Sequence, residues 1–134
     1  MKVICIGGLP GSGKTFLGKS FLGDSGCPFL DDMTADQMPE LREILSTGKS
    51  VVVSDPRFCL PYVREKAKRV IHEACPDAEI RWILFENNPA ACRKNVARRS
   101  DGRLVDMHIT NLSKFYDSTG VDEIIPVWSG DWGL

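Results

Sequence analysis

The sequence predicts an α/β fold in which helices cover both faces of a five-stranded parallel sheet. Short apolar runs alternate with stretches of helical periodicity, as a parallel sheet with crossover helices requires. A glycine-rich segment also separates the first apolar run from the first helical stretch. Right-handed crossovers then give a three-layer sandwich with its ligand at the carboxyl ends of the strands.

Each predicted element has a local signal. The apolar run at 3–6 predicts a buried strand, and the stretch after the glycine-rich segment predicts a helix. Gly48 follows the second helical stretch as a C-cap glycine does, and Pro61 and Pro89 fall in first turns, where a missing N–H costs little. We predict strands at 2–6, 28–31, 50–54, 79–85 and 123–128. We predict helices at 14–22, 35–46, 60–73, 89–99 and 105–118.

Composition predicts a single intracellular domain. The 134 residues are 43% hydrophobic and 26% charged, and they contain no repeat or long linker, so we expect residues 1–134 to form one domain. The formal net charge of -1 excludes a globally basic nucleic-acid binder but leaves a local basic groove possible. Neither a signal peptide nor a membrane segment is evident, which predicts a cytoplasmic protein. Five scattered cysteines favour reduced thiols over disulfides or zinc, with Cys5 as a small core residue.

The glycine-rich segment fits the phosphate-binding pattern G-x-x-x-x-G-K-[ST]. Successive backbone N–H groups of such a loop curl around a β-phosphate, and the helix N-terminus adds a favourable dipole. Lys14 would reach the β- and γ-phosphates, and the Thr15 hydroxyl would hold Mg²⁺. The strand, loop and helix in register favour this site over a purely structural turn. We therefore predict an ATP and Mg²⁺ site at Gly8, Pro10, Gly11, Ser12, Gly13, Lys14 and Thr15.

Acidic residues end the second and third predicted strands. Asp55 follows an apolar run and matches a Walker-B carboxylate, which orients Mg²⁺. A second carboxylate near the acceptor can take the hydroxyl proton, and either Asp31 or Asp32 suits that role, with Asp32 also a candidate for substrate contact. The alternative for one of these two acids is a cap on the following helix.

A basic segment at 93–103 follows the fourth strand and predicts a short lid over the nucleotide. Arg98, Arg99 and Arg103 could neutralise charge on the transferring phosphoryl group, in the manner of an arginine finger. The alternative is a solvated basic helix end. Arg57 could dock a substrate phosphate or carboxylate, or make a surface ion pair instead.

A second basic group lies on the third predicted helix. We interpret it as a solvated helix face because acidic residues interleave its members, Arg64, Lys66, Lys68 and Arg69. The two histidines, His72 and His108, show no ligand spacing and receive no role. Trp128 and Trp132 could stack on adenine, close the core or contact another subunit.

These motifs together resemble the P-loop kinases of small hydroxyl substrates, most closely the 5'-kinase domain of phage-type polynucleotide kinase. The resemblance implies a P-loop NTPase sandwich, with Asp31 as the general base, Asp55 in the active site and Arg98 stabilising the transferred phosphate. Two features depart from the polynucleotide members. Thr34 replaces the arginine that grips the substrate phosphate, and one helix replaces the long insertion after the second strand.

The expected activity is ATP-dependent transfer of the γ-phosphate to a hydroxyl. The predicted partners are a nucleotide donor and a hydroxyl acceptor, either a polynucleotide 5' end or a nucleoside or nucleotide, with another small metabolite as the alternative. A nucleotide-hydrolysing ATPase or switch is a second class, although no glutamine or glutamate directly follows Asp55 to orient water. A binding module without chemistry is a third.

Overall fold

Five parallel strands form one sheet in the computed structural model, which describes residues 2–33, 36–99 and 105–127. The strands are β1 (Lys2–Gly7), β2 (Phe29–Asp31), β3 (Val51–Ser54), β4 (Glu79–Phe85) and β5 (Glu123–Ile125). Their spatial order is β2-β3-β1-β4-β5, and every pair is parallel, so the predicted fold class is confirmed. β1 lies at the centre, and the loop after it therefore emerges beside the ends of β3 and β4.

Five α-helices and one 3₁₀ helix connect the strands in the described part of the chain. They are α1 (Lys14–Ser25), α2 (Met38–Ser46), the 3₁₀ helix (Pro56–Cys59), α3 (Pro61–Ala74), α4 (Pro89–Arg99) and α5 (Asp106–Phe115). The bounds of β4 and α4 are those predicted. α2 begins three residues later than predicted, with Gln37 as its N-cap, and Gly48 follows its C-cap at φ 76°. The sequence pattern did not predict the 3₁₀ helix.

The two faces of the sheet carry separate apolar clusters. Val3, Cys5 and Val51 pack on one face with buried residues of α2 and α3, which confirms Cys5 as a core residue. Ile6 and Val52 pack on the opposite face, where Leu17 of α1 contacts their cluster. Alternating residues of a strand point to opposite faces, so these clusters place helices on both sides of the sheet.

Arg64 corrects the interpretation of α3 as an evenly solvated basic face. Its side chain is only 7% exposed, because Arg64 shares the buried face of α3 with Ala67 and Ile71. The guanidinium donates to the carbonyl oxygens of Phe58, at 2.7 Å, and Thr119, at 3.2 Å. The other members of the group, Lys66, Lys68 and Arg69, are exposed as predicted. None of the described helices is long and apolar enough to span a membrane.

Candidate active site

The loop between β1 and α1 is shaped by glycines at positive φ. Gly11 has φ 86° and Gly13 has φ 111°, conformations that side chains rarely adopt. The Ser12 N–H donates to the Leu9 carbonyl at 3.1 Å, and α1 begins as the Leu17 N–H donates to Gly13. Glycines at these positions allow the tight backbone turn that a phosphate-binding loop requires.

A cavity of about 510 Å³ opens beside this loop and collects most of the predicted site residues. Its walls include Lys14 and Thr15 from the start of α1, Asp31 and Asp32 from the end of β2, and Arg98 from α4. Pro10, Gly11 and Gly13 also line it, while Gly8 and Ser12 are buried. Residues predicted from three separate parts of the sequence therefore meet at the carboxyl end of the sheet.

Two further observations agree with triphosphate binding by the loop. The buried hydroxyl of Ser12 makes no hydrogen bond to the described residues, which leaves a polar atom unsatisfied in the loop itself. A Cβ on Gly8 would lie 2.6 Å from that hydroxyl, so only glycine allows this packing. No group of three or more His, Cys, Asp or Glu side chains among the described residues is arranged as a metal site. Mg²⁺ is commonly bound through few protein ligands and substrate phosphates, and Thr15 suits that mode.

Lys14 is held inside the loop. Its Nζ donates to the Leu9 carbonyl at 3.0 Å. Burial lowers the pKa of Lys14 to about 8, although the nearby carboxylates Asp31, Asp32 and Asp55 act in the opposite direction. A triphosphate beside this ammonium would favour the charged form further, so the loop is electrostatically suited to an anion.

The two acids after β2 have different environments. Asp31 Oδ1 accepts a hydrogen bond of 2.8 Å from the buried Ser54 hydroxyl of β3. Asp32 has φ 71°, unusual for a residue other than glycine, and its N–H donates to the Ser54 carbonyl at 2.6 Å. Partial burial raises the pKa of Asp32, and the neighbouring carboxylates Asp31 and Asp55 raise it further. Neither acid caps α2, whose N-cap is Gln37.

Asp55 is buried behind the cavity wall, with its side chain 1% exposed. Its Oδ1 accepts from the Arg57 backbone N–H and Nε, and its Oδ2 accepts from the Met33 N–H and Arg57 Nη2. Burial alone would raise the pKa of Asp55, but the hydrogen bonds from Arg57 and Met33 outweigh it and hold that pKa below its usual value. In this structure Asp55 therefore joins the loops after β2 and β3, and its metal role stays a prediction.

Arg57 adopts the ion pair that the sequence left open as an alternative. Its Nη2 lies 2.6 Å from Asp55 Oδ2 and also donates to the Met33 carbonyl at 3.2 Å. The side chain is half exposed, and it does not line the cavity that holds Asp31 and Lys14. Arg57 therefore contacts the predicted site residue Asp55 but is not among the residues that line the cavity, and its substrate contact stays a prediction.

The basic segment is described only in part. Arg98 lines the cavity, and Arg99 is the last residue of α4. Arg103, Thr34 and the tryptophans Trp128 and Trp132 lie outside the described residues, so their predicted roles stay predictions. Arg93 donates to Asp106 and Thr110, each at 2.6 Å, which ties α4 to α5.

Five cavity-lining residues were missed by sequence reasoning: Phe16, Pro56, Asn95, Val105 and His108. Asn95 has the clearest contact, since its Nδ2 donates to the Gly11 carbonyl at 2.9 Å and its side chain is 6% exposed. A signal did exist, because Asn95 is three residues from both Cys92 and Arg98 and so shares their face of α4. His108 received no role from its spacing, yet it reaches the cavity from α5.

A viral protein is related to this chain by sequence. The chain is 35% identical over 119 residues to the uncharacterised protein R277 of Acanthamoeba polyphaga mimivirus, covering 87% of this chain and 86% of that protein. The chain belongs to the same family as R277. No protein-family model matches it.

Several solved structures resemble the chain in fold. A gluconokinase from Sinorhizobium meliloti 1021 superposes with a TM-score of 0.66 at 17% identity, covering 93% of this chain and 81% of that one. Kti12 of Chaetomium thermophilum, solved in complex with ADP-AlF3, superposes with a TM-score of 0.61 at 15% identity, covering 97% and 91%. This member of the R277 family therefore has the P-loop kinase fold.

Proposed function

We propose that the protein is an ATP-dependent kinase that transfers the γ-phosphate of ATP to a hydroxyl acceptor. The observation that carries the proposal is the single cavity lined by the phosphate loop, by Asp31 and by Arg98. A donor loop, a fixed carboxylate and a cation at one cavity are the parts that phosphoryl transfer needs. The fold shared with gluconokinase, and with Kti12 in complex with ADP-AlF3, supports the same conclusion.

Each residue has a defined task in this proposal. The loop amides and Lys14 bind the β- and γ-phosphates, and Thr15 holds Mg²⁺, which neutralises phosphate charge when bound. Asp31 accepts the proton of the acceptor hydroxyl. The hydroxyl oxygen forms the new bond to the γ-phosphorus, and the bond between that phosphorus and ADP breaks. Arg98 neutralises charge on the transferring group. Positioning and charge neutralisation supply most of the rate in such reactions.

Asp31 is the better candidate for the base. The Ser54 hydroxyl fixes its carboxylate, as an orienting group does in other acid–base pairs. Asp32, in a left-handed backbone conformation, is assigned to acceptor binding. We expect Asp31→Asn to lower kcat by about 10²–10⁴-fold with ATP affinity retained. The matched Asp32→Asn variant should instead raise the acceptor KM. Full kcat in Asp31→Asn would overturn the assignment.

The acceptor is a nucleic-acid 5' end, a nucleoside or nucleotide, or another small metabolite. One observation favours an acceptor without a phosphate of its own. Arg57, the predicted acceptor-phosphate ligand, donates Nε and Nη2 to Asp55. The hydroxyl of a nucleoside or a sugar needs no such cation. One of the structures with the same fold is named a gluconokinase, a name that denotes a kinase of a sugar acid.

The test follows label from γ-labelled ATP with Mg²⁺ into separate acceptors. The panel contains a 5'-hydroxyl oligonucleotide, nucleosides, nucleotides, neutral sugars and gluconate, with a reaction that lacks acceptor and the Lys14→Ala variant as blanks. Label that the parent protein transfers to an acceptor, and that Lys14→Ala does not transfer, supports the kinase proposal. The labelled compound then identifies the class of acceptor. Free phosphate alone, lost in Lys14→Ala, would support the ATPase alternative instead.

A further inference from the structure

Helix α4 packs directly against the phosphate loop at Gly11. A Cβ on Gly11 would lie 2.5 Å from the Cys92 carbonyl oxygen and 2.9 Å from Val96 Cγ2. Asn95 lies between these two residues in sequence and donates its Nδ2 hydrogen bond to the Gly11 carbonyl. Backbone, apolar and polar atoms of one helical turn thus meet a single loop residue.

The peptide unit between Gly11 and Ser12 is held at both ends. Its carbonyl accepts from Asn95, and its N–H donates to the Leu9 carbonyl. The same Leu9 oxygen accepts from Lys14 Nζ. The hydrogen bonds therefore run from Asn95 through one peptide and one carbonyl to the lysine of the loop.

We propose that Asn95 is a positioning residue that holds the Gly11–Ser12 peptide in its phosphate-binding orientation and fixes α4 against the loop. Arg98 lies one helical turn beyond Asn95 and lines the same cavity, so the bond also sets its distance from the loop. The inference rests on the proposed function in taking the loop as a triphosphate site. An amide suits the task because it donates to a carbonyl without adding charge near the phosphates.

The test measures binding of Mg²⁺-ATP and Mg²⁺-ADP by titration calorimetry, with no acceptor present. We expect Asn95→Ala to weaken both affinities by about tenfold, the effect of one hydrogen bond in a buried setting. Asn95→Asp should weaken them further at neutral pH, because a carboxylate faces the Gly11 carbonyl and the bound phosphates. Asn111→Ala, at an exposed asparagine of α5, is the matched control and should bind as the parent does.

A pH series separates positioning from simple packing. As the pH falls toward the pKa of the introduced carboxyl, ordinarily about 3.9 and raised by burial, Asn95→Asp regains a donor and its affinity should recover relative to Asn95→Ala. The titrating and charged groups that line the same cavity, Lys14, Asp31, Asp32, Arg98 and His108, are common to both variants, as is Cys92 on the same helical face, so their effects cancel in the ratio.

Parent-like affinity in Asn95→Ala, or a pH-independent ratio between the two variants, would overturn the proposal. A parent that binds nucleotide but phosphorylates no acceptor would defeat the kinase assignment and leave the binding test of Asn95 decisive. A parent that binds no nucleotide would defeat both.

Discussion

The proposed function gives the cavity a donor side and an acceptor side, and the two are built in different ways. On the donor side, the backbone of the phosphate loop is fixed by glycines and by the packing of α4 on Gly11. On the acceptor side, the loops after β2 and β3 are joined by side chains, chiefly the bonds of Asp55 to Arg57 and Met33. Adding a side chain to a loop glycine should disrupt the whole loop, whereas substitutions in the side-chain network remove single hydrogen bonds. The predictions below use this difference.

Gly11→Ala should have the largest effect. The left-handed backbone costs a residue with a side chain about 1–3 kcal/mol, and the new Cβ would also collide with the Cys92 backbone. We expect a marked loss of stability, measured by urea unfolding, together with loss of ATP binding. Gly48→Ala is the matched control, because Gly48 has φ 76° but open space around it. Equal losses in the two variants would show that α4 yields easily and that the donor side is not rigid.

Asp55→Asn should have the next largest effect on stability. The variant leaves the part-buried donors of Arg57 and Met33 poorly matched, at about 1–3 kcal/mol of unfolding free energy at neutral pH. The comparison pair is Arg81 with Glu123, where both side chains are half exposed and Glu123→Gln should cost less than about 1 kcal/mol. An Asp55→Asn variant as stable as Glu123→Gln would show that the acceptor-side network contributes nothing.

The pH dependence of the same variant has a defined sign. The folded-state pKa of Asp55 is below its unfolded value, so its contribution is present above the unfolded pKa and is lost as the pH falls through the folded pKa. The stability gap between the parent and Asp55→Asn should therefore narrow in acid. A gap that stays constant down to about pH 3 would contradict the assigned cause.

Sequence reasoning predicted the donor side better than the acceptor side for a physical reason. The loop motif is local, since the residues from Gly8 to Thr15 specify their own backbone, and the strand-end rule placed Asp31 beside it. The bond from Asn95 to Gly11 joins residues 84 positions apart, and the bond from Met33 to Asp55 joins residues 22 apart. Such contacts depend on how the elements pack, which the pattern of a single sequence does not specify.

Burial of Arg64 was missed for the same kind of reason. Its neighbours in sequence are charged and exposed, and only the helical face that it shares with Ala67 and Ile71 indicates the core. The 3₁₀ helix depends on the side chain of Asp55, which accepts from the Arg57 N–H and so caps the turn. Asp55 was predicted to orient Mg²⁺ because it lies at the end of a strand. It also has a structural role, which the strand pattern does not indicate.

Titration of Lys14 should change the stability and the ATP affinity in opposite directions. Because the folded-state pKa of Lys14 is about 8, against about 10.4 when unfolded, the unfolded chain binds more protons between these values. The nucleotide-free protein should therefore gain stability as the pH rises through that window. ATP affinity should fall instead, by about tenfold between pH 7 and pH 9, because the charged ammonium becomes the minor form.

Lys14→Met separates this explanation from a general effect of pH on the fold. The substitution keeps the length and apolar stem of the side chain but removes the titrating group, so both trends should disappear while the acceptor-side titration of Asp55 remains. If ATP affinity in the parent were flat from pH 7 to pH 9, Lys14 would stay charged without a ligand. The carboxylates Asp31, Asp32 and Asp55 would then stabilise the ammonium more than burial destabilises it, and the donor side would depend on the same acidic residues that define the acceptor side.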